Sequence, residues 1–398
     1  MERKIVIVSN SNLNRTGGSE ESMKNILNYD RNNSSITYVS PHKLPDTYSV
    51  NKEYVTLTGV HKVAREIAQD KPDVIILNNP EILCASFLLS LPQELRDKTC
   101  AIWRIVSTSW KTIPVRSSDN KFINYINRTL IEKSQGFLAN RVGQNLAVSS
   151  AVKESLQNSG TPENKIQVIN EQVGGEFNPS LRLNNHDNNR QRFLQPDEFG
   201  VLFVGRLSPE KGLDLLVKTY HQLRQEIPHF SSDKFSKIKI SIIGPVDSSY
   251  AQFIKRQFNL ATFQTRKTPK SDRVQIELLG QQSHTQLQPL YNAYDLLFMP
   301  SPSEGFGRVT VEALSAGLPV IGRDGCKATE EILSRPLYSI GTTISGSTEA
   351  VREIFYLMNQ TETLSKLKQQ SSQWASNFYT QKNSESSFWQ AVDQVSQS

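Results

Sequence analysis

Two glutamates, Glu304 and Glu312, stand with seven residues between them in the segment Met299-Pro-Ser-Pro-Ser-Glu-Gly-Phe-Gly-Arg-Val-Thr-Val-Glu-Ala-Leu-Ser-Ala-Gly-Leu-Pro-Val-Ile321. The segment reads as a strand end, a Pro-Ser-Pro-Ser turn, the loop Gly305-Phe306-Gly307 and a helix over 308–316. Gly317 suits the position just past a helix end, and Pro319 stops the helix continuing. The glycines let a ligand approach the backbone, and the helix N-terminus offers free N–H groups and a positive dipole end. A diphosphate is an anion that such a site accepts. Glu304 precedes the helix and Glu312 lies just over one turn inside it. Their carboxylates could therefore accept hydrogen bonds from hydroxyls on the two sides of the diphosphate. A sugar and a ribose supply hydroxyls in that arrangement.

A second segment, Phe203-Val-Gly-Arg-Leu-Ser-Pro-Glu-Lys-Gly-Leu213, places Arg206 just after a strand end and Lys211 just before a helix. Open α/β sheets bind ligands at strand ends facing a crevice. Two cations five residues apart can hold a pyrophosphate and stabilise it as a leaving group, Arg through its fork and Lys as a point charge. The competing reading of all four groups is ordinary surface charge.

With these two motifs the chain resembles glycosyltransferase family 4, whose members have the GT-B fold. The resemblance runs faintly through the first half and strongly through the second. It implies two Rossmann-like doubly wound α/β domains facing across a cleft. It also implies a nucleotide-diphosphate sugar as donor substrate, with no separate cofactor, and transfer with retention of anomeric configuration. The catalytic candidates are then Arg206, Lys211 and Glu304. The donor-binding candidates are Gly17, Gly18, Arg206, Lys211, Glu304, Gly305, Phe306, Gly307 and Glu312. Gly17 and Gly18 enter because Thr16-Gly17-Gly18-Ser19-Glu20 follows the first strand, where the family places a loop near donor phosphates and acceptor. The loop is not a GxGxxG fingerprint, so no nicotinamide cofactor is implied.

The chain departs from the family pattern twice. Many members carry a His after a central strand of the first domain. Here the strand Ala101–Val106 leads into Ser107-Thr-Ser109-Trp110, with no His. The usual Gly-Gly before Glu becomes Asp324-Gly325-Cys326-Lys-Ala-Thr-Glu-Glu331.

The elements that must position these residues follow from hydrophobic periodicity. In the first half strands are expected at Lys4–Val8, Ile36–Val39, Val55–Thr58, Val74–Leu77, Ala101–Val106, Leu146–Val148 and Ile166–Ile169. Helices are expected at Glu20–Leu27, Val60–Gln69 and Ala151–Ser159. In the second half strands are expected at Val201–Val204, Ile238–Ile243, Val274–Leu279, Leu296–Met299 and Pro319–Ile321, with helices at Leu213–Glu226, Thr285–Tyr294 and Arg308–Ala316. Such alternation makes βαβ units and parallel sheets. The Asn- and Gln-rich stretch Leu183–Gln195 reads as a linker. Domains are thus expected over 1–182 and 196–377. A final helix, about 378–398, has two open placements: on its own domain or back on the first.

Composition narrows the class. The chain has 398 residues, net charge +6, 37% hydrophobic and 21% charged residues, which suits a folded protein of two domains. The modest basic excess fits an acidic small substrate or an anionic surface better than nucleic acid, which usually meets one concentrated stripe. Three cysteines without CxxC spacing point to a reducing, cytoplasmic setting. The apolar run Ile82–Leu91 is about half the length that spans a bilayer. The stretch Lys111–Arg141 carries six basic residues among Ile123, Ile126, Leu130 and Ile131. It could pack on its own domain or rest peripherally on an anionic membrane. No D-x-D triplet or His/Cys/Asp cluster is present, so a metal-independent reaction is expected. The acceptor could be a glycan, a lipid-linked group or a small molecule. The alternatives are a nucleotide-sugar epimerase of similar architecture and a silent sugar-nucleotide or glycan-binding module.

Overall fold

The computed structural model describes residues 3–13, 23–24, 27, 34–44, 50–56, 58–78, 82–103, 135–169, 186–245, 249–258, 272–334, 340–378 and 381–396. The chain forms two compact units: Met1–Gln172 with Gln381–Ser398, and Val173–Thr380.

Unit 1 is built on seven parallel strands: β1 (Arg3–Ser9), β2 (Ser34–Ser40), β3 (Asn51–Tyr54), β4 (Val74–Asn78), β5 (Thr99–Trp103), β6 (Gln144–Ala147) and β7 (Ile166–Val168). Their order is β3-β2-β1-β4-β5-β6-β7. Helices among its described residues include α1 (Val60–Gln69), α2 (Ile82–Ser90), α3 (Gln93–Asp97) and α4 (Ser150–Asn158). β4 and β5 are buried along their whole length, as expected for central strands covered on both faces. The apolar run at Ile82–Leu91 becomes α2, with Leu83, Cys84, Phe87 and Leu88 in the core.

One expected strand is misplaced. The reading at Val55–Thr58 gives way to β3 at Asn51–Tyr54, whose residues are polar and mostly exposed. Among the described residues β3 pairs with β2 alone, and an edge strand needs no apolar run. Thr56 instead closes the turn into α1, its hydroxyl accepting from the Gly59 N–H at 3.2 Å.

Unit 2 holds six parallel strands: β8 (Glu198–Val204), β9 (Lys237–Ile243), β10 (Val274–Gly280), β11 (Leu296–Met299), β12 (Val320–Arg323) and β13 (Gly341–Ile344). Their order is β10-β9-β8-β11-β12-β13. Its helices are α5 (His186–Phe193), α6 (Leu213–Glu226), α7 (Ser249–Gln257), α8 (His284–Ala293), α9 (Arg308–Ser315), α10 (Lys327–Leu333), α11 (Ser347–Asn359) and α12 (Thr361–Phe378). The core packs Phe199, Val201, Phe203, Ile240 and Ile242 of the sheet against Leu216, Tyr220 and Leu223 of α6.

The stretch read as a linker contains α5, and tertiary charge explains it. Arg190 donates to both carboxylate oxygens of buried Asp295 at 2.7 and 2.8 Å, and to the Glu198 carbonyl at 2.6 Å. Lys368 of α12 reaches the same carboxylate at 2.7 Å. Burial alone would raise the Asp295 pKa, but Lys368, Arg190 and the Gly200 N–H outweigh it and hold the carboxyl below its usual range. Composition hides this anchor, because Arg190 and Lys368 lie 105 and 73 residues from Asp295 in the chain.

The last segment divides into α12, which buries Trp374 in unit 2, and α13 (Gln381–Ser396), which belongs to unit 1. Asp393 of α13 pairs with Arg3 of β1 at 2.5 Å. Both sheets are doubly wound. In unit 1 the order reverses between β1 and β4, and in unit 2 between β8 and β11. Those reversals are where open α/β sheets form ligand crevices.

Candidate functional site

The unit 2 reversal carries both motifs. β8 ends at Val204, and the chain turns through Gly205, Arg206 and a short 3-10 helix, Pro209–Lys211, into α6. β11 ends at Met299 and runs through Glu304 and Gly307 into α9. The two loops meet backbone to backbone at Gly212. Its φ is +67°, and a Cβ there would stand 2.0 Å from the Pro300 carbonyl oxygen. Only glycine meets both demands. That approach lets Lys211 reach across: its Nζ donates to Glu304 at 2.7 and 2.9 Å. Both side chains are largely buried, at 19% and 11% exposure.

Gly307, with φ +86°, begins α9 without a side-chain cap. As a glycine it has no side chain with which to cap the N–H groups of the first turn. Arg308 follows, buried at the positive end of the helix dipole, where a cation is disfavoured. Glu312 offsets it at 3.6 Å, one turn on. Glu312 also accepts from the Tyr291 hydroxyl of α8 at 3.2 Å. Burial first, and then the Glu312 charge, push the Tyr291 phenol far above its ordinary pKa, so it stays a donor. The hydroxyls of Ser301 and Thr310 are fully buried with no hydrogen-bond partner among the described residues. Ser301 is the second residue past β11, beside the Gly212 contact.

The structure places the expected residues differently. Lys211 and Glu304 are brought together. Glu312 is buried one turn inside α9 with Arg308 and Tyr291. Arg206 is 73% exposed and pairs with Glu210 at 3.6 Å on its own turn. Phe306 is buried and Gly305 half-buried beside the loop. Gly17 and Gly18, the stretch after Trp103, and most of Lys111–Arg141 lie outside the described residues. Sequence reasoning passed over Arg308, although its four-residue spacing to Glu312 was visible. Tyr291 gave no such signal. Cys326, the departure from the family glycine pair, is buried before α10 and contacts Thr329 at 3.3 Å. Burial raises its thiol pKa and the Glu304 charge adds to that.

Residues 185–374 match the family model for glycosyl transferases group 1. The match covers most of unit 2 and just under half of the chain. An uncharacterized glycosyltransferase of Methanocaldococcus jannaschii is 29% identical over 182 residues, 45% of this chain and 41% of that protein. The sulfoquinovosyl transferase of Arabidopsis thaliana is 27% identical over 269 residues, 65% of this chain and 44% of its own length. The matched region thus spans less than half of these relatives. Among solved structures, Anabaena HepE in complex with UDP and glucose superposes with a TM-score of 0.74 at 18% identity, covering 99% of this chain and all of HepE. That likeness identifies the two-unit fold as GT-B.

Proposed function

We propose that the protein is a glycosyltransferase that moves a sugar from a nucleoside-diphosphate sugar to a hydroxyl acceptor. The observation that carries this reading is the Lys211–Glu304 pair at the β8/β11 reversal, beside the uncapped start of α9. In this reading the diphosphate lies against the α9 N-terminus and takes Lys211 as a counter-ion. Arg206, exposed and tethered only loosely to Glu210, can turn toward it. The cations and the helix end then stabilise charge as the nucleoside diphosphate leaves. Glu304 faces the sugar end and Glu312 the nucleoside end. The buried Ser301 and Thr310 hydroxyls supply further hydrogen bonds for ligand oxygens.

The HepE complex with UDP and glucose supports a nucleotide sugar as the donor class. The resemblance to glycosyltransferase family 4 supports retention. Metal-independent transfer follows from assigning leaving-group charge to Lys211, Arg206 and the helix end. Unit 1 takes the acceptor. The thiols of Cys84, Cys100 and Cys326 are buried and in no disulfide, which fits a reducing compartment. No helix among the described residues is long and apolar enough to cross a membrane.

The test is a thermal-shift panel of nucleotide sugars followed by an assay of nucleoside diphosphate release. A ligand that binds the native state raises the melting temperature with its saturation. One donor should stabilise the protein and be slowly hydrolysed without acceptor. Stabilisation by none of the common nucleotide sugars would overturn the reading.

A further inference from the structure

Glu304 and Glu312 are held in different ways. Glu304 is gripped by one cation, with Lys211 Nζ donating to its two oxygens at 2.7 and 2.9 Å. Glu312 has a different partner on each oxygen. Its Oε1 faces Arg308 Nη2 at 3.6 Å, and its Oε2 accepts from the Tyr291 hydroxyl at 3.2 Å. Helix geometry explains the first contact. Side chains lean toward a helix N-terminus, so Glu312 reaches back over the turn that begins at Arg308. The second comes from the last turn of α8, where Tyr291 lies. Arg308, Glu312 and Tyr291 are buried to 8%, 3% and 1% exposure.

Stability does not ask for this arrangement. Apolar residues often match or better a buried ion pair, and the helix dipole disfavours a cation in the first turn. Nor are the two contacts tight. A separation of 3.6 Å is outside hydrogen-bond range, and 3.2 Å is long for a hydroxyl donating to a carboxylate. Asp295, which ties α5 and α12 to the sheet, is met by Arg190 at 2.7 and 2.8 Å, by Lys368 at 2.7 Å and by the Gly200 N–H at 2.9 Å. Glu312 is aimed rather than clamped. The terminal torsion of a glutamate is broad, and a partner on each oxygen fixes the carboxylate plane. A carboxylate has about four acceptor sites, so a fixed plane can present both oxygens together to two adjacent hydroxyls.

Resting on the transferase reading above, with Glu312 at the nucleoside end, we propose that Arg308 and Tyr291 are positioning residues that fix the Glu312 carboxylate for the adjacent hydroxyls of a ribose, and so make the site select ribonucleotides over deoxyribonucleotides. Neither residue touches the ligand, and both act through Glu312. A site built to bond a hydroxyl rejects the analogue that lacks it, because a buried acceptor is then left unmatched. The rejection is strong only where the acceptor cannot swing away, which is what the two-point hold prevents.

The test is calorimetric titration of the full chain with UDP, GDP and ADP, and then of the tightest binder against its deoxyribose counterpart. The wild type should prefer the ribonucleotide by about tenfold or more, as for a hydrogen bond to a charged acceptor. Tyr291→Phe removes one oxygen atom and keeps the buried ring. It should cut that preference about threefold while affinity for the deoxynucleotide stays within about twofold. Arg308→Met should cut the preference likewise, and Arg308→Lys, which keeps the charge, should recover part of it. In a Glu312→Gln background Tyr291→Phe should leave the preference where Glu312→Gln alone puts it. Undiminished preference in Tyr291→Phe, even with both nucleotides bound more weakly, would overturn the inference, as would a wild type that binds the two sugars alike. In either case nucleotide binding keeps the transferase reading intact. Binding of none of the three nucleotides by the wild type would instead remove that reading, and this inference with it.

Discussion

The two units wind their sheets in the same way and stabilise them with opposite chemistry. Among the described residues, every buried charged side chain lies in unit 2: Glu198, Glu277, Asp295, Arg308 and Glu312. The buried polar side chains of unit 1 are serines, threonines and asparagines. Asn145 shows the unit 1 style. It accepts from the Trp103 indole at 2.7 Å and donates to the Ala139 and Lys165 carbonyls, so the β5/β6 edge is fixed without a charge. Glu277 shows the unit 2 style. It accepts from Ser241 at 2.8 Å and pairs with Lys239 at 3.1 Å. Buried ions are expensive, and a hydrophobic or neutral replacement is often no worse for stability. Topology therefore does not demand them. They concentrate in the unit to which we assign the anionic donor, where Arg308 and Lys211 pair with Glu312 and Glu304.

The strongest test of this contrast is Asp295→Asn. It leaves Arg190 and Lys368 facing a neutral group in a buried setting, and unit 2 should lose about 3–5 kcal/mol. Denaturant melts followed by hydrogen exchange would measure it, and unit 1 should keep its protection. The pH dependence has a definite sign. The folded pKa of Asp295 lies below the unfolded value, so its stabilisation is present above the unfolded value and is lost as pH falls from there through the folded one. Wild-type unit 2 should weaken below about pH 4, and Asp295→Asn should respond less in the same melts. Equal acid sensitivity in the two proteins would mean that the pair network is not what ties α5 to the sheet.

Next in size is Lys211→Ala. Removing one preorganised donor to a developing charge costs roughly 3 kcal/mol, a turnover loss of about a hundredfold or more. Arg206→Ala should cost the same order if Arg206 turns toward the diphosphate, and far less if it remains with Glu210. Measuring nucleoside diphosphate release for both variants separates those outcomes.

The two glutamates come third. Glu312→Gln should weaken both the sugar nucleotide and the bare nucleoside diphosphate, by about 1.5–3 kcal/mol in calorimetric titration. Glu304→Gln should spare the bare diphosphate and depress turnover, because its contact is to the transferred group. Equal weakening of the bare diphosphate by both variants would reverse the assigned donor orientation.

The smallest expected effect is that of chelator. Turnover in excess EDTA should stay within twofold of the untreated rate. Strict dependence on added magnesium or manganese would break the assignment of leaving-group charge to Lys211, Arg206 and the helix end.

Much of the architecture was legible because hydrophobic period is local. β11 and α6 fall where periodicity placed them, and β8, β9 and α9 within a few residues. The donor motifs were legible for the same reason, since their glycines and charges are neighbours in the chain. β3 was not, because an edge strand needs no apolar signature. α5 was not, because its stability comes from Arg190 finding Asp295 rather than from its own composition.

By itself, then, the sequence determined the number of doubly wound units, the strand–loop–helix frame of Glu304 and Glu312, and the turn that carries Arg206 and Lys211. Only the tertiary structure decided which charges meet. Lys211 and Glu304 are 93 residues apart, Tyr291 and Glu312 are 21 apart, and Asn78 and Ser9 are 69 apart. Ion pairs and hydrogen bonds act over a few ångströms in space and leave no periodic trace along the chain. Strand order had to bring β8 beside β11, and β1 beside β4, before those residues could be read as neighbours.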